Sequence, residues 1–94
     1  MTMEEKHSII NLPDLLFVQY CTETFGLNRG VYNTIDKWFY MKNVKDIKAR
    51  RERILDFLLF SVNYMNKEEN RLKFGKGNLV NLLVAYSERR AVPV

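Results

Sequence analysis

From Lys45 to Asn66 the chain runs without a glycine or a proline. Within that stretch Ile47, Ile54, Leu58, Val62 and Met65 recur at helical spacing. At roughly 100° per residue they share an arc of about 80°. Leu55 and Leu59 widen the arc to about 140°, and Phe57, Phe60 and Tyr64 fill a second sector. Only Asp56 and Asn63 keep the second half of the stretch from being apolar all round. A helix this apolar belongs at the centre of a bundle or in a dimer seam, which makes Ile54–Met65 a candidate homodimer interface. The first half is basic, with Ile47 as its main apolar anchor.

Three shorter helices are predicted around this one. Leu12 to Phe25 is periodic. It opens on Pro13 and Asp14, which suit a first helical turn, and it stops at Gly26, which can adopt the left-handed conformation that ends helices. Asn28 is a good N-cap for a second helix reaching about Lys42, with Val31, Ile35 and Trp38 on one stripe and Tyr32 and Phe39 beside it. Asn43 is a candidate terminator. A last helix is expected over Leu79 to Arg90, with Leu79, Leu82, Leu83 and Tyr86 on one side. Between these helices, Gly75 and Gly77 mark a turn, and the alternation around Leu72 and Phe74 allows a short hairpin or strand at 71–76. Residues 1–8 read as a flexible N-terminal tail. Four Gly and two Pro in 94 residues disfavour a turn-rich all-β fold. The expectation is one all-α domain over 1–94, a compact helical bundle of about four helices.

The charge is unevenly placed. The chain carries a net +4, and residues 41–53 alone hold Lys42, Lys45, Lys48, Arg50, Arg51 and Arg53 against Asp46 and Glu52. Such a patch attracts phosphates and releases counterions. On a continuous helix Lys42, Arg50 and Arg53 form one basic face, partly neutralised by Asp46. Arg51 points instead toward the apolar side, where its stem can cover core residues. The same pattern also describes a plain solvated face.

Few residues suit catalysis. His7 sits near Glu4 and Glu5 in the expected tail, and Cys21 fits best as a small buried hydrophobe. One Cys and one His leave no cluster with metal-ligand spacing, and there is no GxxxxGK[ST] phosphate loop. Gly75-Lys76-Gly77-Asn78 is too short for one. No enzymatic activity, cofactor or metal is expected. No apolar run approaches the roughly 20 residues that span a bilayer, and the N-terminus lacks the basic region of a signal peptide. A free thiol fits a reducing, cytoplasmic setting.

Between Cys21 and Lys37, a helix, a turn at Gly26-Leu27 and a helix opening at Asn28 follow one another. Cys21, Phe25, Leu27, Tyr32 and Ile35 fall at the apolar offsets, and the small Thr22 lies before the turn. This segment resembles the helix-turn-helix of small DNA-binding domains. The resemblance implies that Asn28, Arg29 and Asn33, with Gly30, Thr34 and Lys37, face a major groove. Tyr32 departs from the branched aliphatic usual in that family, and Glu23 and Asp36 add negative charge near the contact surface. Ser8–Leu12 followed by two helices also resembles, more distantly, a ribbon-helix-helix dimer.

The sequence therefore points to a small non-enzymatic nucleic-acid-associated protein, accessory or regulatory, or a helical subunit of a nucleoprotein complex. It would hold backbone phosphate through Lys42, Lys45, Lys48, Arg50, Arg51 and Arg53, and DNA is favoured over RNA. The alternative is a helical protein–protein interaction module, an inhibitor, adaptor or immunity-type protein, docking through the apolar helix.

Overall fold

The computed structural model describes residues 1–66 and 76–91. The described residues form five helices and no strand: α1 (Met3–Ile10), α2 (Asp14–Phe25), α3 (Arg29–Met41), α4 (Ile47–Asn66) and α5 (Lys76–Ala91). The chain is all-α. It divides into two compact units, Met1–Leu55 and Asp56–Val94, with α4 contributing to both. Apart from Lys76, the first residue of α5, the hairpin or strand expected at 71–76 lies outside the described residues.

Helix α1, additional to the four expected, corrects the expectation of a flexible tail over 1–8. Thr2 is the N-cap of α1, and its hydroxyl accepts the Glu5 N–H at 3.1 Å while donating to the Glu5 carboxylate at 3.2 Å. The hydroxyl thus satisfies one free backbone N–H of the first turn, and the Glu5 carboxylate holds the hydroxyl in place. Glu4 and Glu5 also place negative charge at the positive end of the helix. The Thr-x-x-Glu spacing was present in the sequence, and the acids that argued against a signal peptide are helix-starting residues.

In the first unit, α1 packs on α2 and α2 on α3. Its core holds Ile10, Phe17, Cys21, Leu27, Tyr32, Ile35 and Phe39, with Ile54 and Leu55 from the start of α4. Phe17 and Tyr32 meet edge-on with centroids 6.2 Å apart. Gly26 ends α2 with φ 65°, and the Leu27 N–H returns to the Thr22 carbonyl at 3.1 Å. A Cβ on Gly26 would meet nothing within 4 Å, so the cost of adding one is purely conformational. Gly26→Ala should destabilise the protein by about 1 kcal/mol, and Gly26→Asn by less, as read by chemical denaturation.

Cys21 is fully buried, and burial pushes its thiol from an ordinary 9.0 up to about 12, a rise that Arg51 partly opposes. The Tyr32 hydroxyl is pushed up too, chiefly by burial and then by Asp36. Both groups keep their protons in the folded chain where the unfolded chain would lose them. Their contribution is therefore intact below pH 9 and is lost as pH climbs toward the folded values. Stability should fall between pH 9 and 12, and thiol reagents should modify Cys21 at neutral pH only at the rate of unfolding. Cys21→Ser should remove part of that alkaline slope.

In the second unit, the later half of α4 meets α5 through aromatic edges. Phe57 and Tyr86 have centroids 5.7 Å apart, and Phe60 and Tyr86 5.6 Å. Leu79, Leu82, Leu83 and Tyr86 are buried, as their spacing predicted. Ser61 is buried without penalty because its hydroxyl donates to the Phe57 carbonyl at 2.8 Å. Part of the homodimer seam expected along Ile54–Met65 is buried within the chain. Ile54, Leu55, Phe57 and Leu58 have no exposed surface, and Val62 is 37% exposed. Leu59, Phe60, Tyr64 and Met65, on the same helix, are half-buried.

Candidate functional site

The basic stretch 42–53 is not one helix. Asn43 adopts φ 69°, the Asn43 N–H returns to Tyr40 O at 3.1 Å, and the Val44 N–H returns to Phe39 O at 3.0 Å. This paired closure terminates α3 at Lys42. Asp46 then starts α4: its carboxylate accepts the Ala49 N–H at 2.9 Å and its carbonyl the Arg50 N–H at 2.9 Å. The single basic face expected from Lys42, Arg50 and Arg53 is therefore broken into a turn and a helix start. Asp46 is spent as a cap rather than as a neutralising neighbour. Ile47, expected to be an apolar anchor, is 54% exposed at the first position of α4.

Two of the six cations turn inward. Arg51 is buried, and its guanidinium donates to Ile10 O at 2.9 Å, to Leu12 O at 2.6 Å and to the Asp14 carboxylate, lying 4.8 Å from the Phe17 ring centroid. It satisfies the Ile10 carbonyl at the end of α1, which has no helical partner, and the Leu12 carbonyl in the connection that follows. Arg50 donates to the Asp36 carboxylate at 2.6 Å, and to Val44 O and Lys45 O at 3.2 and 3.1 Å. Both residues tie backbone segments together, each through three hydrogen bonds made within the fold, which leaves less of each guanidinium for phosphate than the sequence reading assumed. Their small cleft, about 210 Å³ and shared with Asp14, Val18, Tyr32, Asp36 and Ile47, is charge-paired rather than basic.

The other cations stay at the surface. Lys42, Lys45 and Lys48 are exposed and Arg53 is half-buried. Lys42 Nζ sits 5.0 Å from the Trp38 ring centroid. Lys45 Nζ and the Arg50 guanidinium lie 5.6 and 5.4 Å from the ring of Tyr40, which is itself 48% exposed. Of the three consecutive aromatic residues beside the basic stretch, Trp38, Phe39 and Tyr40, only Tyr40 is exposed. Its signal was its place on α3, where Arg29, Asn33, Asp36 and Tyr40 follow helical spacing along the solvent side, with Lys37 beside them. Arg29 and Asn33 are exposed. Asn28 is not free to read a base edge with its whole amide, because its Oδ1 caps α3 by accepting the Val31 N–H at 2.8 Å. Lys48 precedes Glu52 by one turn, and Glu52 pairs with Lys6 at 3.5 Å. Taken together, the accessible chemistry is a solvent face of α3 running into a lysine-bearing turn with an aromatic ring at its centre.

The chain is similar to the RNA-binding riboflavin kinase RibR of Bacillus subtilis (strain 168). The two are 41% identical over 78 residues, which make up 82% of this chain and 34% of RibR. The chain therefore spans about a third of the length of the relative that it matches. No family model matches the chain, and no solved structure does. Among the described residues no helix is long and apolar enough to cross a membrane.

Proposed function

We propose that this chain is an RNA-binding module of accessory or regulatory type, and that it carries no kinase chemistry of its own. Lys42, Lys45 and Lys48 hold backbone phosphates around the α3–α4 turn, with Arg53 at the flank. Tyr40 offers a ring on which an unpaired base can stack, and Arg29 and Asn33 extend the contact along α3. The observation that carries this reading is the exposed Tyr40 ring with Lys45 Nζ 5.6 Å from its centroid. An aromatic face beside exposed cations suits single-stranded RNA, whose bases are free to leave the stack. The likeness to a relative named as RNA-binding supports it, and moves the preference from DNA to RNA. A groove-reading role for the α2–turn–α3 segment would instead require preference for duplex DNA.

Trp38 is the sole tryptophan and lies under Lys42, so it reports on this surface directly. Titration with single-stranded RNA should change Trp38 emission, and Lys42→Ala should reduce the change. An unchanged spectrum with saturating RNA would place binding elsewhere and count against the proposal.

A second reading, a protein-docking module, has its own supporting observation. Leu15 and Leu16 on α2 are 65% and 48% exposed, and Leu15 borders an open groove with Val18, Thr22 and Leu27. Loss of partner capture on Leu15→Ser, with RNA affinity unchanged, would favour that reading.

A further inference from the structure

We infer that the second unit carries a separate site for a single unstacked nucleobase, in the open cleft lined by Phe60, Asn63, Tyr64 and Arg89. The inference rests on the RNA-binding reading and names a second base-stacking site, besides Tyr40 on the α3–α4 surface. The cleft holds about 290 Å³, near the lower end of small-ligand sites. Phe60 and Tyr64 are one helical turn apart on α4, with centroids 5.4 Å apart and planes tilted by 36°. Phe60 is fixed from behind by Tyr86, 5.6 Å away at a steep angle. The Arg89 guanidinium from α5 lies 5.7 Å from the Phe60 centroid while the residue itself is exposed.

Each lining residue has a role in recognising a nucleotide. Tyr64 and Phe60 are half-buried, so each keeps some surface open at the cleft while its packing restrains it. The planar guanidinium of Arg89 can stack on a base or hold its phosphate. Asn63 is exposed at the rim and brings both a donor and an acceptor to a base edge. An aliphatic ligand would leave the amide and the guanidinium unused. A bare phosphate would leave the aromatic pair unused. A nucleotide uses all four.

The test is a short single-stranded RNA carrying one 2-aminopurine, titrated with the full chain and followed by two signals. Fluorescence anisotropy reads binding, and 2-aminopurine quenching reads stacking. Wild type should bind and quench. Tyr64→Leu keeps apolar volume in the half-buried position, and Arg89→Gln changes only an exposed side chain. Each should lose most of the quenching and about tenfold in affinity, while residual binding keeps its salt dependence. Arg89→Gln answers the question even if Tyr64→Leu loses helicity by circular dichroism. Quenching that is absent, or that survives both substitutions, with binding intact, overturns the cleft and leaves the RNA-binding reading standing. Failure to bind RNA at all removes both.

Discussion

Arg51→Met is expected to destabilise the protein by about 3 kcal/mol, enough to lower the midpoint of thermal unfolding by roughly 10–20 °C. The partners of Arg51 do not matter equally. The Asp14 carboxylate is 90% exposed, so its ion pair with Arg51 is screened by solvent and contributes little. Asp14→Asn should therefore cost less than about 1 kcal/mol. The Ile10 and Leu12 carbonyls are different. Both receive donors from one guanidinium nitrogen, and removing it strands acceptors in the connection between α1 and α2. Each stranded buried acceptor costs about 1–3 kcal/mol. Methionine restores the stem packing against Phe17 but none of the donors. Equal effects of Arg51→Met and Asp14→Asn, measured by urea unfolding, would contradict this ranking. The same variant separates stability from binding: at temperatures where it is folded, it should keep its RNA affinity.

The largest expected effect on function comes from replacing Lys42, Lys45 and Lys48 together by glutamate. RNA affinity should fall by more than about tenfold at moderate salt, and the slope of log K against log salt should flatten by about 2. That is roughly 0.7 for each single-strand phosphate that the variant no longer neutralises. Stability should change little, because all three side chains are exposed, and Lys42, the C-cap residue of α3, serves there through its backbone N–H alone. Lys45 is the position to replace singly: its Nζ is adjacent to Tyr40, so its replacement should combine non-additively with Tyr40→Ala. Arg50 is the informative contrast. It stands beside the same ring, yet its Nε and one terminal nitrogen already donate to Asp36 and two carbonyls. Arg50→Gln should lower stability more than affinity.

The helices were legible because their apolar positions recur and their ends carry chemistry that acts locally. Asn28 caps α3, Gly26 ends α2 in the left-handed conformation, and Leu79, Leu82, Leu83 and Tyr86 are buried on α5. Two local signals were outweighed. Thr2 and Glu5 form a cap that starts a helix where a tail was expected. Asn43 and Asp46 interrupt what charge counting treated as a continuous basic face. The roles of the arginines were less legible. Side-chain direction on a helix follows from spacing, and the stem of Arg51 does turn to the apolar side. Its carbonyl partners lie some forty residues earlier in the chain, and no local pattern announces them. Arg50 finds Asp36 rather than the neighbouring Asp46 for the same reason: Asp46 was needed where α4 begins. A run of six cations thus became a smaller accessible set, and an exposed tyrosine that carried no charge became its centre.

The most direct measurement is fluorescence anisotropy of labelled single-stranded RNA and of duplex DNA, each titrated with the protein from low to physiological salt. RNA is expected to bind more tightly than duplex DNA, with an affinity that falls steeply as salt rises and a slope that flattens in the Lys42/Lys45/Lys48 variant. Absence of RNA binding even at low salt, or RNA binding with no salt dependence, would contradict an RNA-binding surface built on these lysines.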